Sequence, residues 1–235
     1  MRFAAAGPVF LVPVRSVFGQ KRTSVMRVQI VDDLNNGRGL KAPESQNLRG
    51  VVDFDYGKHS LVIPLVRMVT VRLLDPHDAE RFKALRLLAV DNSPTSIWPT
   101  RQEEMARSIE EIAARIRPTT TQAVFGAFDG GTLVAITGVR REPLCQVNHK
   151  ATIWGVFVSP SYRGRGIAQT LLSAATVHAS NEWETIQLML CVNAENLPAK
   201  RLYASHGFQT FGLEPRAMKV GDRFYDEEHM CKQMI

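Results

Sequence analysis

The chain has 235 residues, 45% hydrophobic and 22% charged, with a formal net charge of +6. That is the composition of a globular protein, and no apolar run reaches the ~18–20 residues that span a bilayer as a helix. Three widely spaced cysteines, Cys145, Cys191 and Cys231, form neither a metal-ligand pattern nor a disulfide framework, so a reducing, cytoplasmic setting is expected.

The charge is uneven. Residues 1–67 carry ten Lys/Arg against five Asp/Glu, and the remainder nineteen against eighteen. The first 67 residues have scattered Pro and Gly and no sustained helical spacing, so they are expected to be an irregular or disordered basic extension. Their acid-free apolar opening resembles a targeting peptide, but Pro8 and Pro13 interrupt it and no clear small-x-small cleavage site follows. Met68 stands directly before the first convincing strand, which suggests a mis-assigned start and a folded domain over 68–235. That domain is nearly neutral, which argues against a nucleic-acid footprint.

From Val69 the pattern is regular. Val69–Leu73 alternates as a strand. Asp75-Pro76 supplies an N-cap and an N1 proline for a helix to about Val90, and Thr100 with Glu103 forms a capping box for a second helix to about Arg117. Gln122–Phe128 and Thr132–Arg140 read as a hairpin around Asp129-Gly130-Gly131. A strand over about Ala151–Val158 leads through Ser159-Pro160 into Tyr162-Arg163-Gly164-Arg165-Gly166-Ile167-Ala168 and a helix to about Ser180. Then follow a strand over Thr185–Cys191, a helix over about Asn196–His206 ended by Gly207, and strands over Phe208–Leu213 and Arg223–Met234. This order predicts an α+β domain with a mixed sheet.

The strand–glycine turn–helix passage suits a phosphate-sized anion. Glycine lets the backbone approach, the helix start presents unpaired N–H groups, and Arg163 and Arg165 add charge. A second block, Asn193-Ala194-Glu195-Asn196-Leu197-Pro198-Ala199-Lys200-Arg201-Leu202-Tyr203, with Gly207 and Phe208 beyond it, follows about 30 residues later. Together they point to a phosphorylated cofactor with chemistry beside it.

With both blocks in this order, residues 69–234 resemble the GNAT superfamily, the Gcn5-related N-acetyltransferases. Arg163-x-x-Gly166-x-Ala168 is similar to the family's pyrophosphate motif, and Asn193, Asn196, Ala199, Leu202, Tyr203, Gly207 and Phe208 to its second cofactor block. The resemblance implies a mostly antiparallel mixed sheet flanked by helices and acetyl-CoA as acyl donor. Its pyrophosphate would lie on the backbone N–H groups of Gly164, Arg165, Gly166, Ile167 and Ala168. Its pantetheine arm would run along Val156, Phe157 and Val158 in a gap beside the strand at 185–191, with an N–H near Val158 polarising the thioester carbonyl. Asn193, Asn196 and Ala199 would complete the cofactor site. Tyr203 would be the general acid, although a tyrosine in a helix more commonly packs its helix on a sheet.

The general base is open. Ribosomal-protein alanine acetyltransferases of this superfamily carry a glutamate where this chain has Cys191, which reads better as a small buried strand residue than as a nucleophile. Glu142, Glu214, Asp226 and Glu227 are all candidate bases. The resemblance implies an acceptor pocket lined by Asp91–Pro99, with Ile97 and Trp98, and by Glu214–Lys219. His149, His178 and His206 read as surface or packing residues. The expected activity is acetyl transfer to a primary amine by direct attack. A small molecule is favoured over a protein N-terminus or lysine, with no metal, no nucleic acid or membrane partner, and a monomeric or homodimeric state. The alternative is a non-catalytic acetyl-CoA sensor on the same fold.

Overall fold

The computed structural model describes residues 69–234. The expected extension over 1–67 and the Met68 boundary lie outside the described residues.

Strand β1 (Thr70–Leu73) is followed by Asp75, whose side chain accepts from the His77 N–H at 2.8 Å. Asp75 caps a single 3-10 turn, Pro76–Asp78, rather than the α-helix itself. Helix α1 (Ala79–Asn92) follows without a side-chain cap. Asp78 is buried because the Arg72 guanidinium clamps it at 2.7 and 2.8 Å, which holds its carboxyl below the usual range.

The single helix expected to Arg117 is two: α2 (Arg101–Ala106) and α3 (Ile109–Ile116). Ser108 with Glu111 forms a second capping box as complete as that of Thr100 with Glu103. The Lys83 ammonium donates to the carbonyls of Met105 (3.0 Å) and Arg107 (2.6 Å), satisfying orphan acceptors at the end of α2.

The hairpin β2 (Gln122–Asp129) and β3 (Thr132–Arg141) turns at Gly130-Gly131 as expected. Strand β4 (Lys150–Val158) then leads to helix α4 (Ile167–Trp183), three residues longer than the sequence suggested. Ile167, Leu171, Ala175, Ala179 and Trp183, each four residues from the last, are all buried along one face. Each buried leucine contributes about 2 kcal/mol by leaving water. Strand β5 (Gln187–Asn193), helix α5 (Leu197–Ser205), β6 (Gln209–Val220) and β7 (Arg223–Gln233) complete the domain. Strand β6 runs seven residues beyond the expected Leu213, so Glu214–Lys219 is irregular strand, not loop. Pairing shifts between Glu214 and Met218, and Arg216 takes φ 56°.

The seven strands lie in the order β1-β2-β3-β4-β5-β7-β6, antiparallel except for β4 beside β5. The mixed, mostly antiparallel expectation therefore holds. Alternate residues of β2 face opposite cores: Ala123, Phe125 and Ala127 pack with α4, and Val124 with α1 and α3.

The parallel ladder of β4 and β5 is short. It pairs Lys150–Thr152 with Gln187–Met189 and stops. Beyond Thr152, β4 stays paired to β3 and leaves its other edge open. Gly155, at φ 64°, lies where the β3 register shifts, so a bulge bends β4 at the mouth of the gap.

Candidate active site

The open edge of β4 runs between two cavities. The smaller, of about 220 Å³, lies at its far end and is lined by Val158, Tyr162, Arg163, Gly164, Gly166, Ile167, Ala168, Gln169 and Leu202. Gly164 and Gly166 have φ of 75° and 76°, where an L side chain is strained. An added Cβ on either would meet no protein atom within 4 Å, so their need is conformational: they turn the chain so that α4 opens on the cavity. Gly166 is the N-cap of α4 and no side chain caps that end. The first N–H groups of α4 are thus left to an anion, and the chain's own residues fit a pyrophosphate.

The expected cofactor residues are only partly gathered here. Arg163 lines the cavity, with its Nε donating to the Val158 carbonyl at 3.1 Å. Arg165 does not line it: its guanidinium bonds the Ser161 carbonyl at 2.9 Å and lies 5.0 Å from the Tyr162 ring centre. Val156 is half-buried on the open edge, and Phe157 is buried with the α1 and α3 core. Asn193 and Asn196 are held by protein partners. The Asn193 amide donates to the Thr95 carbonyl at 3.0 Å and its oxygen accepts from Glu195 N–H at 2.8 Å. Asn196 caps α5 by accepting from Ala199 N–H, and its amide donates to the Ser96 hydroxyl at 3.2 Å. The second block thereby fastens the 94–96 turn to the end of β5.

Tyr203 is 7% exposed, edge-on to Phe208 in the core under α4 and α5, and it lines neither cavity. Burial pushes its hydroxyl pKa well above the ordinary tyrosine value, so it is a neutral phenol at physiological pH.

The larger cavity, about 420 Å³, opens where the β4–β5 ladder ends. Thr152, Trp154, Gly155 and Cys191 form its floor; Ile97, Trp98 and Pro99 close one side, and Arg86, Arg115 and Arg140 another. Close packing shapes that wall. A Cβ on Gly138 would come within 2.1 Å of the Trp154 ring, so only glycine lets the indole lie across β3. Trp154 in turn carries the Arg115 guanidinium 4.9 Å from its ring centre.

The four candidate bases separate cleanly. Glu142 is half-buried and does not line the cavity. Asp226 is exposed and accepts from Arg216 N–H at 2.8 Å; Glu214 is exposed and meets His229 Nε2 at 2.9 Å. Glu227 alone lines the cavity, 4% exposed, where it accepts from Trp98 Nε1 at 3.1 Å. None of Glu214–Lys219 lines this cavity, whereas Ile97 and Trp98 do. Trp98 is 71% exposed and is no core clamp.

Cys191 is exposed at the cavity rather than buried. Its Sγ lies 3.3 Å from His229 Nδ1, a contact set by the pairing of Cys191 with His229 across β5 and β7. Desolvation raises its thiol pKa, helped by the negative charges of Glu227 and Glu214, so it is no activated nucleophile. His229 escaped the sequence reading because only the β5–β7 register brings it here. His178 packs between Phe125 and Trp183, and burial lowers its pKa; His206 bonds the Leu202 carbonyl.

Residues 84–208 match the model of the acetyltransferase (GNAT) family. An L-2,4-diaminobutyric acid acetyltransferase of Streptomyces avermitilis is 30% identical over 111 residues, 46% of this chain and 60% of that protein, so less than two thirds of the relative is spanned. An acetyltransferase of the GNAT family from Streptococcus pneumoniae superposes with a TM-score of 0.63 at 21% identity, covering 71% of this chain and all of that one. The Salmonella typhimurium protein yncA, solved with its cofactor acetyl-CoA, superposes with a TM-score of 0.62 at 20% identity, covering 72% and 95%. The glycine cradle, the splayed strands and the family match agree: the chain belongs to the GNAT family of N-acetyltransferases, which use acetyl-CoA as acyl donor.

Proposed function

We propose that this protein transfers the acetyl group of acetyl-CoA to a small primary amine by direct attack, with Glu227 as general base and Tyr203 as general acid. The observation that carries the reading is that one unpaired strand edge joins the two cavities. From Trp154 to Val158 the edge spans about 13 Å at strand rise, so an extended arm bound along it reaches from the α4 cradle to Glu227.

Acetyl-CoA supplies an electrophilic thioester carbonyl and a thiolate leaving group. The α4 N–H groups with Gly164 and Gly166 hold its phosphates, and the Val156–Val158 edge holds its arm. Glu227, oriented by the Trp98 indole, takes the proton that the amine must lose. Tyr203, a neutral phenol whose pKa burial raises further, supplies the proton for the thiolate.

The test is a panel of amines assayed with acetyl-CoA for free-thiol release. At least one small amine should accelerate release, and Glu227→Gln should lower kcat by about a hundredfold while leaving thermal protection by acetyl-CoA intact. Acetyl-CoA binding with no amine-stimulated release would favour the sensor reading. An unchanged kcat in Glu227→Gln would move the base elsewhere.

A further inference from the structure

The larger cavity has an excess of positive charge that acetyl transfer to a simple amine does not use. Arg86, Arg115 and Arg140 line it together with one carboxylate, Glu227. Among the described residues, the acid that pairs with these arginines is Glu104, buried at 1% exposure among Arg86, Arg115 (3.6 Å) and Arg107 (3.9 Å). One buried carboxylate thus faces three guanidiniums.

The guanidiniums are not saturated. Arg86 is 2% exposed and gives its Nε and Nη2 to Glu104, but Nη1 makes no hydrogen bond among the described residues. That atom stands beside Gly155 in the cavity wall, 3.5 Å from where a Cβ would sit. Arg115 Nη1 is buried and stands 3.6 Å from Glu104 Oε1, too far for a hydrogen bond. Burial and then the Arg86 charge lower the Arg115 pKa, which marks crowded positive charge that an anion would relieve. Arg140 is exposed on β3 with no ion pair among the described residues.

Resting on the transferase reading, we propose that the acceptor is a primary amine that also carries a carboxylate, an amino acid, whose carboxylate Arg86, Arg115 and Arg140 bind while its amine faces Glu227. Guanidiniums match a carboxylate in shape and charge, and one nine-tenths buried with a free N–H is pre-organised for it. Arg86, Arg115, Arg140 and Glu227 share one cavity of about 420 Å³, the scale of a small molecule. A polyamine would instead place positive charge against three cations, and a protein N-terminus offers no carboxylate near its amine.

The test is calorimetric titration of the full chain, saturated with CoA, with 2,4-diaminobutyrate and with 1,3-diaminopropane, its counterpart without the carboxylate. The diamino acid should bind at least tenfold tighter. Arg140→Gln and Arg115→Gln should each narrow that difference, and Arg201→Gln, an exposed charge on α5, should leave it intact. Arg140 is exposed, so its variant stays informative if Arg115→Gln fails to fold. Equal binding of the two ligands, binding of neither, or equal narrowing by Arg201→Gln overturns the proposal. Thiol release in parallel keeps the two readings apart. Tight diamino-acid binding without amine-stimulated release sinks the transferase reading and leaves the arginine wall. Equal acetylation of the diamine sinks the wall and leaves the transferase.

Discussion

At the scale of single residues, the sequence offered Tyr203 two roles, general acid and packing residue. It is packed in the core, and that burial raises its hydroxyl pKa above the ordinary tyrosine value. Tyr203→Phe retains the ring and removes only the hydroxyl. If the hydroxyl donates a proton, kcat should fall by about a hundredfold with little change in acetyl-CoA affinity. Because burial raises the hydroxyl pKa, its ionisation should not appear in the rate profile between pH 7 and 9; any alkaline loss of rate there must belong to another group. An unchanged kcat, with chemistry shown to limit the rate, leaves Tyr203 as a packing residue.

At the scale of elements, turn chemistry decides where helices begin. The same S/T-x-x-E signature occurs twice within twelve residues, and the second box splits what hydrophobic spacing read as one helix. The start of α4 is made differently, by a left-handed glycine with no side-chain cap. Gly166→Ala should therefore lower stability by about 1–2 kcal/mol through backbone strain alone, since the added methyl meets nothing. Gly166→Asp adds negative charge at the cradle and should also abolish thermal protection by acetyl-CoA. Gly130→Asp, at φ 60° in the β2–β3 hairpin, carries a comparable backbone change away from the cradle and should keep that protection. Equal loss of protection in both variants would detach the glycine turn from phosphate binding.

At the scale of the whole molecule, the two cores among the described residues lie on opposite faces of one sheet. The regular pattern of elements begins after Met68, and a chain beginning there should fold and bind acetyl-CoA, with a melting temperature within a few degrees of the full chain. Insolubility or lost binding would show that residues 1–67 complete the domain. The sequence by itself determined the order of the strands, the Thr100 cap, the Gly164–Gly166 turn and the cofactor class, because these rest on interactions within a few residues of one another. Only the tertiary structure decided the rest. It placed Glu227, of the four carboxylates, in the larger cavity, exposed Cys191 beside His229, turned Asn193 and Asn196 toward the 94–96 turn, and assembled Arg86, Arg115 and Arg140 from α1, α3 and β3. Those neighbours are up to about a hundred residues apart or more, and their meeting depends on strand register and on where the β4–β5 ladder stops. No local pattern encodes that stop, because it is set by how two strands with separate partners splay apart in the finished sheet.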